Sequence, residues 1–312
     1  MTTLEKKSIS SPRQDGPHGA WWPLPRAELG EGPVWNPAAQ TLSWVDAAEK
    51  KLHHRSIESE SLETLHLPHY PGSYAWCADG TLLMAYRNGL ARVDPAAATT
   101  EPLPCSGVNF KIERFNDGAC DRAGRFWVGT MDPRMSEPVG ALYRVDPDLT
   151  IRRMAEGVKV SNGIAFSPDD KVLYHTDSRS AVIWAWDFDL ATGEISNRRL
   201  FAEFTDERGG RPDGITTDEA GNVWMAMNGG GKVLCLSPKG KVVRSIALPT
   251  TRPTSLCFGG PKLDRLYVTS MQFSLSDEER GQQPHAGCVF ELEPGVSGLA
   301  EPFFAAEWAR AS

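Results

Sequence analysis

The chain has 312 residues, enough for one large all-β domain or two ordinary ones. Its net charge is −7 with acids and bases interspersed, which argues against a nucleic-acid partner, because phosphate binding needs a concentrated basic face. There is no apolar run long enough to span a bilayer, so no membrane partner is expected.

Residues 1–20 are expected to form a disordered tail, and residues 21–312 one domain. The first nineteen residues are polar, mixed in charge and without the apolar core of a signal peptide, so a cytoplasmic location is expected. From Glu31 onward the chain repeats about every 41 to 51 residues. Similar units open at Glu31-Gly32-Pro33-Val34, Ser73-Tyr74-Ala75, Asn116-Asp117-Gly118, Asn162-Gly163-Ile164, Asp213-Gly214-Ile215 and Thr254-Ser255-Leu256. Each opening leads into a short apolar stretch, a turn such as Asp218-Glu219-Ala220-Gly221-Asn222, and a second strand such as Val223-Trp224-Met225-Ala226. Such a repeat predicts a propeller blade, and six openings predict an all-β, six-bladed β-propeller with a metal site in its central channel. Trp21 to Ala27 and Pro302 to Trp308 are the candidates for closing the ring, with Gly19 to Leu29 assigned to the closing blade. Ser276 to Arg280 reads as a solvated loop rather than a helix, and the segments 106–111 and 204–211 as pocket lids.

The six cysteines form no CxxC pair and read as small buried hydrophobes. The seven histidines suggest no triad, and His175 reads as structural. Gly229-Gly230-Gly231-Lys232 lacks the Ser/Thr of a phosphate loop and reads as a hairpin turn.

Chemistry enters with the unit openings. A lone Asn-Gly or Asp-Gly pair is more often a turn than a ligand. The openings differ from one another, however, where a purely structural demand would repeat one residue type. Glu31, Asn162 and Asp213 are oxygen donors suited to a hard divalent cation, and a bound cation offsets the cost of buried carboxylates. Arg114, two residues ahead of Asn116, is placed to hold substrate hydroxyls or a carboxylate, or else to form a surface salt bridge with Glu113 or Asp117.

These residues carry a resemblance. The motifs Leu29-Gly30-Glu31-Gly32-Pro33-Val34-Trp35, Arg114-Phe115-Asn116-Asp117-Gly118, Gly124-Arg125-Phe126-Trp127-Val128-Gly129-Thr130-Met131, Ser161-Asn162-Gly163-Ile164-Ala165 and Pro212-Asp213-Gly214 resemble the senescence marker protein (regucalcin)/gluconolactonase family, over about residues 25 to 300. The resemblance implies metal-dependent hydrolysis of a sugar lactone to the aldonic acid. It implies Glu31, Asn162 and Asp213 as ligands of one divalent ion, and Arg114 and Asn116 as substrate contacts. The ion itself is left open among Ca²⁺, Zn²⁺, Mn²⁺, Mg²⁺ and Fe²⁺. Asp213 is also the candidate general base.

After Met131 the chain departs from the pattern. Several relatives place an acidic residue a few positions on, where it binds sugar hydroxyls. Here Asp132 can take that role, and Arg134 lies nearer the expected place. An added cation suits a lactone carrying a carboxylate or sulfonate. Two alternatives stay open at this level: a hydrolase of aryl esters or phosphotriesters on the same scaffold, and a non-enzymatic calcium-binding propeller. The expected partner is a small sugar lactone, and the expected state a monomer or small homo-oligomer.

Overall fold

The strands are set by turns whose chemistry the sequence spells out. Asp121 follows the strand Arg114–Cys120 and is fully buried. Its carboxylate accepts the Ala123 and Arg125 peptide N–H groups (3.0 Å each), the Arg125 Nε (2.6 Å) and the Trp127 indole N–H (2.9 Å). Asp218 does the same after Arg211–Thr217, taking the Ala220 and Asn222 amides and the Trp224 indole N–H (2.9 Å). Gly124 and Gly221 complete the two turns at φ 80° and 82°, a region costly to any residue with a Cβ. One Asp thus ends the first strand, shapes the turn and satisfies the buried donor of the next.

The computed structural model describes residues 1–17, 19–204 and 209–308. Its strands form six antiparallel sheets, the six blades expected of a β-propeller sequence. Sheets 1 to 6 are numbered here by their first strands: Gly30–Asn36, Pro71–Trp76, Arg114–Cys120, Ser161–Phe166, Arg211–Thr217 and Pro253–Gly259. In sheets 1 to 5 the next three strands of the chain follow in order. No helix among the described residues is long and apolar enough to cross a membrane. The chain divides into two compact units.

Unit 1 comprises Met1–Glu5, Leu67–Glu203 and Pro302–Ser312 and holds sheets 2, 3 and 4. Phe115, Phe126, Tyr143 and Phe304 share one core, and Trp127, Phe166 and Phe188 another. The C-terminal segment does not join a closing blade, contrary to the sequence reading. Its Phe304, Ala305 and Glu307 amides donate to the carbonyls of Trp76, Gly124 and Pro147 (2.8, 2.9 and 3.0 Å). Burying the Phe304 ring is worth about 2–3 kcal/mol, enough to dock a segment with few strand bonds.

Unit 2 comprises Lys6–His66 and Phe204–Glu301 and holds sheets 1, 5 and 6. Trp22, Trp35, Trp44 and Tyr267 pack together, with the Arg55 guanidinium 4.6 Å above the Trp22 ring. In sheet 6 the fourth strand is Gly19–Trp22, paired with Val289–Leu292, so the N-terminal half of the expected closure holds.

Where a disordered tail was expected, described residues of the N-terminal segment form strands. Thr2–Thr3 pairs with Thr99–Leu103, Lys6–Ser10 with Ser61–His66, and Gln14–Gly16 with Gly19–Trp22. Outer strands present unpaired N–H and C=O groups, and a polar segment satisfies them as well as an apolar one. Ser276 to Arg280 is likewise corrected. Asp277–Gln282 is a helix, capped by Ser276 with Glu279 reaching back to the Ser276 amide. The S-x-x-E signature was present in the sequence. All six cysteines are free and five are buried; burial pushes the Cys77 thiol up to about 12.

Candidate active site

The first strands share a defect that positions the site. In sheets 1, 3, 4, 5 and 6 the pairing with the second strand slips, between Glu31 and Val34, Phe115 and Gly118, Ser161 and Ile164, Pro212 and Ile215, and Pro253 and Leu256. Each is a β-bulge in which two residues face one, a device that re-aims side chains and is enriched beside active sites. The bulged pairs are Gly32-Pro33, Asn116-Asp117, Asn162-Gly163, Asp213-Gly214 and Thr254-Ser255. In sheet 2 the slip falls on Gly72. Asn116, Asn162, Asp213 and Thr254 are therefore structural equivalents. Glu31 lies one residue ahead of the bulge, and Ser73 just after it. The sequence reading placed all six in one register because residue counting cannot see a bulge.

In unit 1 the structure brings Arg114, Asn116 and Asn162 together. Arg114 Nη1 donates to Asn116 Oδ1 and to the Phe115 carbonyl (3.0 Å each), and its guanidinium lies 5.3 Å over the Tyr70 ring. Asn116 Nδ2 donates to Asn162 Oδ1 (2.9 Å) and to the Ser161 carbonyl (2.8 Å). Asn162 Nδ2 donates to Ser178 Oγ (2.8 Å). This relay fixes both amide orientations, since each NH₂ has an acceptor and each C=O a donor.

Three neighbours brace the relay. Glu113 is buried and accepts from Thr130 Oγ1 (2.5 Å), Tyr143 Oη (2.9 Å) and the Asn109 amide (3.1 Å), tying the 104–112 segment to the strand of Arg114. Asp117 takes the Gly118 amide (2.8 Å), yet burial pushes its carboxyl up to about 6. Ser161 Oγ lies 2.6 Å from His175 Nε2, inside the core. Burial holds the His175 pKa down at about 4, so a neutral structural imidazole is the outcome, as read from the sequence.

The loop after Met131 separates its two candidates. The Asp132 carboxylate, the candidate for substrate hydroxyls, organises its own loop. It accepts the Arg134, Ser136 and Glu137 amides (3.0 Å each) and Ser136 Oγ (2.8 Å). These backbone donors, that of Arg134 first, hold its carboxyl well below the usual carboxylate range. Arg134 is exposed at the tip of the turn that Asp132 builds.

Unit 2 supplies the carboxylates. Asp213 is buried, and its Oδ2 accepts from Asn228 Nδ2 (2.9 Å). A Cβ on Gly214 would strike Ser255, which explains the glycine beside Asp213. Thr254 Oγ1 donates to the Gly30 carbonyl (2.5 Å), and a Cβ on Gly30 would meet the Ser270 carbonyl at 2.7 Å. The Thr254-Ser255 bulge thus braces the backbone next to both Glu31 and Asp213. Asp46 accepts the Glu28 and Leu29 amides (2.9 and 3.2 Å), and Arg280 binds Glu28 through two bonds (2.7 and 3.0 Å), so the approach to Glu31 is held from both sides. The lid expectation for 204–211 falls partly on residues 205–208, outside the described residues.

Two carboxylates and one carboxamide are the hard oxygen donors that a divalent cation takes, and the bulges re-aim Asn162 in unit 1 and Asp213 in unit 2. Among the described residues no three His, Cys, Asp or Glu side chains cluster to hold a metal ion, and the candidate set contains only two of those types.

A model of the family described as "SMP-30/Gluconolactonase/LRE-like region" matches residues 29–272. The chain belongs to that family. It is 41% identical to the 6-deoxy-6-sulfogluconolactonase of Pseudomonas putida over 89% of this chain and 95% of that one. It is 36% identical to zebrafish (Danio rerio) regucalcin over 87% and 93%. The solved structure of a calcium-binding protein, regucalcin, from Agrobacterium tumefaciens superposes with a TM-score of 0.83 at 28% identity, over 89% of this chain and 94% of that one. The family resemblance read from the motifs is thereby confirmed, and the fold class is all-β and six-bladed.

Proposed function

We propose that the protein is a divalent-metal-dependent lactonase that opens a sugar lactone bearing an anionic group, with a sulfonate as the leading choice. The Arg114–Asn116–Asn162–Ser178 relay carries this reading. It joins proposed substrate contacts to a proposed metal ligand through bonds that leave neither amide free to rotate. The similarity to a sulfogluconolactonase supports both the lactone and the sulfonate.

Glu31, Asn162 and Asp213 would hold the cation. When bound, it supplies Lewis-acid polarisation of the lactone carbonyl and stabilises the developing oxyanion. Asp213 takes the proton of the attacking water at its carboxylate. Arg114 and Asn116 orient the sugar, and the ring C–O bond breaks to release the hydroxy acid. Arg134 faces the anionic substituent from the turn that Asp132 organises.

Proton release from a panel of neutral, carboxylated and sulfonated sugar lactones, with EDTA and metal add-back, tests this. Hydrolysis that EDTA abolishes and a divalent cation restores is expected, fastest on a sulfonated lactone. No metal-dependent turnover of any lactone would overturn the reading.

A further inference from the structure

Unit 1 places one arginine in the turn between the second and third strands of each of its sheets. Arg87 lies after Tyr86 in sheet 2, Arg134 after Met131 in sheet 3 and Arg179 after Asp177 in sheet 4. All three are exposed. Among the described residues none of the three side chains is in a hydrogen bond or an ion pair. The nearby acids are used elsewhere. Asp132 is held by its own loop, and Asp177 accepts the Lys159, Val160 and Ser180 amides and the Ser180 hydroxyl.

Each arginine is tied by backbone to the relay. The Arg87 carbonyl accepts the Phe115 amide (3.2 Å), between Arg114 and Asn116, and the Arg87 amide donates to Tyr70, the residue under Arg114 (2.8 Å). Arg179 follows Ser178, which holds Asn162. Arg134 sits three residues past Met131, the strand partner of Arg114. The equivalent turns of sheets 1 and 5 in unit 2 differ. They carry Glu49-Lys50, with Glu49 already bonded to Lys51 (3.4 Å), and Gly229-Gly230-Gly231.

Resting on the lactonase reading, the geometry points to Arg87 and Arg179 as specificity residues that, with Arg134, form an arginine rim selecting a sugar with a terminal sulfonate. Three exposed guanidiniums with no acceptor among the described residues leave their donors open to an oxyanion. A sulfonate presents three equivalent oxygens, which suits planar fork donors approaching from separate turns. The effect belongs to the charged substituent and not to the lactone ring.

The test substitutes Arg87→Gln and Arg179→Gln, singly and together, in the full chain. kcat/KM is measured on 6-deoxy-6-sulfogluconolactone and on gluconolactone, and binding of 6-deoxy-6-sulfogluconate and gluconate is measured by calorimetry. The sulfonate-to-neutral ratio of kcat/KM is expected to fall about tenfold per substitution. The parent's sulfonate preference should also weaken with added salt, and less so in the double variant. Ratios that stay at the parent value in the double variant overturn the rim. The binding arm needs no turnover. A parent that hydrolyses neither lactone but binds the sulfonated acid more tightly, through these arginines, retains the rim and removes the lactonase reading. A parent with no preference for the sulfonated acid removes the rim, whatever its turnover.

Discussion

The two units differ most where their first strands begin. Unit 1 presents amides and guanidiniums there: Arg114, Asn116 and Asn162 bonded in series, with three further arginines in the adjoining turns. Unit 2 presents carboxylates, Glu31 and Asp213, on backbones braced by one shared bulge. The same blade design therefore serves opposite electrostatic ends. On the proposed lactonase reading, the arginines and amides of unit 1 contact the sugar and the carboxylates of unit 2 supply charge for a cation. The bulge makes this division possible, because its first position accepts Asn, Asp or Thr without altering the ladder on either side.

The comparison breaks most directly at the carboxylates. Asp213→Asn keeps the size and the Asn228 neighbour but removes the charge. It should lower kcat by roughly 10³-fold and strip the bound metal, read by turnover alongside elemental analysis. A variant that kept both its metal and its rate would end the assignment of unit 2. The next largest effect is expected in unit 1. Asn116→Ala cuts the relay at its centre and frees the Asn162 amide to turn. Metal affinity or kcat/KM should drop roughly 10–100-fold, the usual cost of losing a group that orients a ligand. If only KM rose and metal affinity stayed put, Asn116 would be a substrate contact with no orienting role.

A third substitution lies away from both sets. Ser276→Ala removes the side-chain half of the capping box on Asp277–Gln282, whose Arg280 grips Glu28 near Glu31. About 1 kcal/mol of stability should be lost, roughly 2 °C in Tm by calorimetry. Lactone turnover that falls far more than this would mean that the Glu28–Arg280 brace acts on Glu31 itself.

Much of this was legible in the sequence, because the repeat is written in turn chemistry. The Asp-x-x-Gly turns fix where strands stop, and the Asn and Asp openings identify the bulged residues of sheets 3, 4 and 5. What escaped depends on backbone bonding that leaves no side-chain signature. The N-terminal segment looked disordered because it is polar, but Thr2–Thr3 and Lys6–Ser10 are held by strand pairing, which any non-proline backbone can do. Glu31 looked equivalent to Asn162, and only the slip in pairing shows it one residue ahead. Residue type alone does not reveal that four donors of its own loop converge on Asp132. Arg87 and Arg179 carried no motif, and their significance comes from the carbonyl and hydroxyl neighbours that link them to the relay.

The smallest expected effect concerns the one titratable group on a bulge of unit 1. Asp117 occupies the second bulge position, where the equivalents in sheets 4 and 5 are Gly163 and Gly214. Burial, partly offset by the Gly118 amide, raises its pKa to about 6 from an ordinary value near 4. A carboxyl raised on folding takes up a proton as the chain folds. Its favourable contribution is therefore lost as pH climbs from about 4 through about 6, and above that the folded state carries a desolvated charge. Asp117→Asn should remove the penalty. Discounted for part exposure, the gain is about 0.5 kcal/mol, or ~1 °C in Tm at pH 7.5, and it should shrink to nothing by about pH 4. EDTA-treated protein is the proper sample, because a nearby cation would offset the same charge. A Tm difference that was equal at both pH values would mean that the Asn side chain packs better and that the carboxylate's charge costs nothing. A difference that grows with pH in EDTA but vanishes on adding a divalent ion would place Asp117 within the field of a bound cation.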